Sequence, residues 1–233
     1  MIPPHEWWDS LQNYGFTIFP AQIFFYLAII SLLVIFFRRP GKTTDRAIKG
    51  FMAFAFCWLG IVFFLALGQK LPAHNAQSFL FLSLSTLFVL DLFTGNSRFV
   101  MPEIRWQRTV TKVGFVLILG VYPLVALLQG RPFSKWIIPG AFPCPTTALA
   151  LMFMATTFQV RRRWLYLATM CLLILWAIPF PIMIQIPRFG VYEDSIMLVA
   201  GIYSLAMVIV NVRRARSEQG ARLSSPSPES GCC

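Results

Sequence analysis

"FTIFPAQIFFYLAIISLLVIFF", residues 16–37, runs directly into "RRPGKTTDRAIK", residues 38–49. The first stretch carries no charge. As an α-helix it reaches about 33 Å at 1.5 Å per residue, and a bilayer's hydrocarbon core is about 30 Å thick. The residue-by-residue alternation of a β-barrel strand is absent, and backbone polar groups in lipid must be satisfied within the segment, so the stretch reads as a transmembrane helix. The second stretch stacks Arg38, Arg39, Lys42, Arg46 and Lys49 behind it. A long apolar run followed by a block of bases sets both the fold class and the threading.

The pattern recurs along the chain. Apolar segments at 16–37, 48–68, 77–93, 113–129, 145–158, 164–186 and 195–212 predict an all-α protein of seven transmembrane helices in one domain, residues 1–212. The composition, 57% hydrophobic and 12% charged, excludes an ordinary soluble domain. The net charge of +11 is a topology signal and not a nucleic-acid footprint, because it is confined to alternate loops. Besides the five bases after the first span, one side collects Arg98, Arg105, Arg108, Lys112, Arg161–Arg163, Arg213, Arg214, Arg216 and Arg222. The other side has only Lys70, Arg131, Lys135 and Arg188. The positive-inside rule then expects the N-terminus outside and the C-terminus in the cytoplasm of a bacterial inner membrane, with anionic lipids at the cytoplasmic face as partners. Residues 213–233, rich in Arg, Ser and Pro, read as a disordered tail. The terminal Cys232–Cys233 pair has the form of a lipidation end, but two residues carry little.

Prolines 20, 123, 139, 143, 145, 179, 181 and 187 all fall towards the outer halves of the spans. Inside a helix a proline removes a hydrogen bond and frees a carbonyl. Crowding them into one leaflet points to broken helices around an outward-opening cavity, or simply to helix ends that favour proline. "GAFPCPTT", residues 140–147, is the densest case. It starts the shortest span, with Pro145 expected at the first helical position, Cys144 at the cap, and Thr146 and Thr147 in the first turn. "WIIPGAF" before it is expected to dip inward as non-helical backbone. Three readings stay open: a rigid start for a closely packed helix, a solute or anion site at a helix terminus, or a reactive or metal-binding thiolate.

"FPAQ" (19–22), "CWLG" (57–60), "GAFPCPTT" (140–147) and "GVYEDSIMLVAG" (190–201) together resemble a domain-of-unknown-function family of bacterial polytopic membrane proteins carrying a G-x-PCPTT motif. The resemblance covers nearly all of 1–211 and implies the seven-helix architecture and a membrane location. It implies no activity. The chain departs from the family pattern in "FFLALGQKLPAHNAQ", which lacks a histidine expected after the tryptophan–glycine motif.

Polar groups within spans are few. Asp91 is the single acidic residue inside one, and pairing with Arg98 or Arg105 is expected. The candidate ligand-binding set is Cys144, Thr146, Thr147, Gln22, Tyr122, Gln185, Glu193 and Asp194, all on the outer side, with His5, Glu6 and Asp9 nearby. No catalytic residue, metal ligand or cofactor is assigned. The lysines sit in loops or at span ends, which excludes a retinal Schiff base, and no two histidines can ligate a haem within the membrane. A buried aspartate pair, a buried Ser–His pair and a phosphate-binding glycine pattern are also missing. Binding or transport of a small solute or ion near PCPTT is the leading expectation. A structural or accessory subunit of a membrane-protein partner is the alternative, and a thiol- or metal-dependent enzyme the third.

Overall fold

The structure, a computed structural model, describes residues 3–69, 71, 73–130, 136–160 and 162–224. The run that opens at Phe16 is two helices. α1 (Pro4–Thr17) and α2 (Phe19–Arg38) meet at Ile18. Pro20 has no N–H for the preceding turn, so a helix starts there and cannot pass through unbroken. α1 lies almost wholly ahead of the first expected span, and its sequence explains it. Trp7, Leu11, Tyr14 and Ile18 are buried at a spacing that lines one helical face.

α3 (Lys42–Trp58) continues as π-helical turns over Leu59–Leu67. α4 (His74–Thr94) follows, then β1 (Ser97–Phe99), α5 (Arg105–Leu128), α6 (Pro143–Ala155), β2 (Thr157–Val160) and α7 (Arg163–Ala177). Beyond α7 the chain makes π-helical turns over Pro181–Gln185, a short α8 (Ile186–Phe189) and a 3₁₀ turn over Tyr192–Asp194. α9 (Ser195–Ser224) runs past the expected end of the last span at Val212, in a stretch with no proline before Pro226. Lys70, Arg131, Lys135, Arg161, residues 225–233 and the Cys232–Cys233 pair lie outside the described residues.

Among the described residues six helical stretches, and not the expected seven, are long and apolar enough to cross a membrane: Phe19–Arg38, Lys42–Leu67, His74–Thr94, Arg105–Leu128, Arg163–Phe189 and Tyr192–Val210. α6 is the one that falls short. Its 13 residues rise only about 20 Å. It ends before the expected Phe158, because Thr157 turns into β2, which pairs antiparallel with β1.

α6 is also the centre of the molecule. Every residue from Pro143 to Ala155 is buried, as an all-apolar helix must be if it does not face lipid. It packs against α3, α5, α7 and α9. Approach to α5 is close at Gly114, where a Cβ would stand 2.5 Å from the Met152 methyl group. At the lower end of α6 the Phe153 ring meets Phe36, Phe99 and Phe115. The long helices turn large apolar side chains outward instead, among them Phe24, Phe79, Leu128 and Met183. Such an apolar exterior suits lipid and not water.

The chain enters α3, α5 and α7 at one end of the bundle and α4, α6 and α9 at the other. The first is the basic end. There Asp91 pairs with Lys49 at 2.8 Å, and not with Arg98 or Arg105. Lys49, expected at a span end, lies within α3 and is buried. It sits seven residues into α3, level with the last turn of α4, so its amine reaches both the Asp91 carboxylate and the Ser97 carbonyl. Asp91 in turn accepts the Ser97 N–H at 2.9 Å.

Candidate functional site

At the opposite end the non-helical stretch before α6 runs inward, buried from Ile137 to Phe142. Backbone polar groups there need partners from the protein. The Tyr14 hydroxyl donates to the Ala141 carbonyl at 2.7 Å and accepts from the Trp58 indole at 2.9 Å. Burial pushes that hydroxyl above its ordinary pKa. Gly140 turns the chain at φ +86°, and the Phe25 ring lies 2.7 Å from where a Cβ would be. A side chain fits neither the angle nor the space.

The cap of α6 is Phe142 and not Cys144. The helix begins at Pro143, so Cys144 and Pro145 are its second and third residues. Both prolines still fall in the first turn, where a missing N–H costs no helical bond. No side chain caps the helix, and Thr146 instead ties the incoming chain to its first turn. Its hydroxyl accepts from the Gly140 N–H at 2.7 Å and donates to the Phe142 carbonyl.

Beside this helix start lies a cavity of about 310 Å³. Its walls are mostly aromatic and aliphatic: Trp7 and Leu11 of α1, Phe63 and Phe64 beyond α3, Phe142, and Trp176, Phe180 and Phe189 of the last third of the chain. The polar residues of the lining are Gln77, Cys144, Gln185, Arg188 and Asp194. Tyr122 donates to Asp194 Oδ1 at 3.1 Å. Gln185 Nε2 points at Cys144 Sγ, 3.7 Å away. The thiol also faces the Asp194 carboxylate and the Trp176 indole, but neither Asp194 Oδ2 nor Trp176 Nε1 gains a hydrogen bond of normal geometry. Gln185 Oε1 is likewise without a partner. Three buried polar atoms of three cavity-lining residues therefore stand unsatisfied, two acceptors and one donor. Each such atom costs about 1–3 kcal/mol when left unmade.

Of the expected set, Cys144, Gln185 and Asp194 line the cavity, and Tyr122 holds Asp194 from behind. Glu193 is buried next to them but is not part of the lining. Thr146 is spent on Gly140 and Phe142, and Thr147 is buried within α6. Gln22 sits at the α1–α2 junction, donating to the Gly15 carbonyl at 2.8 Å. His5, Glu6 and Asp9 are on the exposed side of α1, and Asp91 is at the other end of the bundle. The aromatic wall was not foreseen. Trp176 and Phe180, and Trp7 stacked on Phe189, are separated in sequence by broken helices that no single periodicity describes.

Among the described residues no three His, Cys, Asp or Glu side chains converge in a manner that could hold a metal. The Asp194 carboxylate near Cys144 disfavours a thiolate, which cationic neighbours would stabilise. What the arrangement offers is shape and hydrogen bonds.

A family of unknown function, DUF6064, matches residues 5–219. The chain belongs to that family. No curated protein and no solved structure gave a match. The membership thus covers α1 to α9 and carries no activity with it.

Proposed function

We propose that this DUF6064 protein is a multi-pass protein of the bacterial inner membrane, N-terminus outside and C-terminus cytoplasmic, that binds a small solute in the cavity at the α6 start and moves it. The observation that carries this reading is the set of unsatisfied atoms on Asp194, Gln185 and Trp176, which line one mostly apolar cavity. A native fold leaves few buried polar groups unpaired. Here a ligand completes them.

The same atoms describe the ligand. Two acceptors call for a molecule that presents donors, and the aromatic wall calls for an apolar body. Asp194 contributes a carboxylate to the lining and Arg188, over the Phe189 ring, a cation. An apolar molecule with an amide, amine or hydroxyl head suits the site. The accessory-subunit reading predicts no cavity of this kind. The orientation rests on the sixteen bases collected on one side of the chain against four on the other.

Labelling of Cys144 in intact cells tests both parts together. A membrane-impermeant maleimide is applied to a variant in which Cys57, Cys171, Cys232 and Cys233 are serine. Cys144 reacts from outside the cell without denaturation if the cavity opens outward. Reaction only after denaturation overturns the solute-site reading.

A further inference from the structure

The basic end carries a second cavity, of about 480 Å³, between the first two turns of α3 and the α4–β1 connection. Lys42, Asp45, Arg46 and Lys49 line it from α3, and Arg98 closes it from β1. The charges within it are not equivalent. Lys49 is consumed by Asp91. Asp45 is consumed as well, since its Oδ1 accepts the Phe99 N–H at 3.1 Å and its Oδ2 lies 3.7 Å from Arg98 Nε. Lys42 and Arg46 remain. They are exposed, one turn apart on the same face, and have no carboxylate partner among the described residues.

This placement is costly by itself. Two like charges at i, i+4 repel, and both stand in the first turns of a helix, where its dipole is positive. An anion in the cavity reverses both effects. The rim of the cavity is different in kind: Leu92 and Phe93 line it too, and Phe93 is 83% exposed. A cationic floor with an aromatic lip at the end of a bundle matches a phosphate group with a hydrocarbon chain leaving beside it.

We infer that the cavity formed by Lys42, Arg46 and Arg98 is a phosphate-binding site, independent of the solute cavity at the α6 start. Lys42 and Arg46 supply charge-assisted hydrogen bonds to the phosphate oxygens, and Arg98 adds a third cation while keeping its contact with Asp45. The phosphate comes either from a phospholipid headgroup or from solution.

The test uses the purified full-length chain and two probes. Thermal denaturation is followed in detergent against inorganic phosphate, and in nanodiscs of phosphatidylcholine with and without phosphatidylglycerol. Stabilisation by phosphatidylglycerol alone identifies a headgroup site. Stabilisation by both, with phosphate competing against the lipid, identifies a site for phosphate from either source. In Lys42→Gln/Arg46→Gln the apparent affinity falls about tenfold or more. In Arg105→Gln/Lys112→Gln, which removes the same charge from exposed positions outside the cavity, it changes about twofold or less. Lys42→Arg keeps binding, and Phe93→Ser weakens the lipid arm only. Equal losses in the two double variants reveal a general surface-charge effect and overturn the site, as does the absence of stabilisation by either probe.

Discussion

Pro123 leaves the Leu119 carbonyl without its helical N–H, and the Tyr26 hydroxyl takes that place at 2.9 Å. A proline that the sequence marks as a break is thus repaired by a residue on another helix, nearly a hundred positions away. Tyr26→Phe removes the repair and costs about 1 kcal/mol of stability. In a Pro123→Ala background, where the N–H is restored, the same change costs much less. A double-mutant cycle read by denaturation in detergent measures the difference, and equal costs in the two backgrounds would sink the assignment. The approach to α6 is held in a similar way, since the Thr146 hydroxyl accepts the Gly140 N–H of the incoming chain.

Lys49 ties three elements together at the basic end: its own α3, the last turn of α4, and β1 through the Ser97 carbonyl. Lys49→Met strands the Asp91 carboxylate in a buried place and lowers stability by about 3–5 kcal/mol. Asp91→Asn added to it recovers most of the loss, because an amide oxygen still accepts the Ser97 N–H and no charge is left unpaired. Chemical denaturation of the single and double variants checks this, and a double variant no better than the single one refutes it. The long helices were legible because twenty apolar residues admit few alternatives in lipid. α1 was less so, since its hydrophobic stripe of Trp7, Leu11 and Tyr14 is broken by polar residues and precedes the apolar run. The β1–β2 ribbon and the Lys49–Asp91 pair were not legible. Both join segments far apart in the chain, and charge alone could not choose between Lys49, Arg98 and Arg105 as the partner of Asp91. Of the cavity at the α6 start, Cys144 and Asp194 were legible as polar groups, through PCPTT and the Glu193–Asp194 turn. The aromatic side depends on how π-helical turns rotate Phe63 and Phe64, and that rotation has no simple signature.

In the whole molecule a short, wholly enclosed helix is surrounded by longer ones, and this arrangement has a consequence for the order in which the chain is made. α6 leaves the ribosome before α7 and α9, yet those two form much of its cover, α9 also donating the Ser204 hydroxyl to the Leu151 carbonyl. A 13-residue helix with an inward-running approach cannot be held by lipid while it waits. Until α9 is inserted, the nascent protein exposes the very segment that organises its centre. A chain stopped after Phe189 is therefore expected to be degraded rapidly in cells, and co-expression of residues 190–233 as a separate segment to restore its level. Pulse-chase decay measures both. A truncated chain as long-lived as the full one would mean that α6 finds shelter without its last neighbour. Otherwise the final helix acts as the lock of the assembly, and quality control has a single event, its arrival, by which to judge whether the protein is finished.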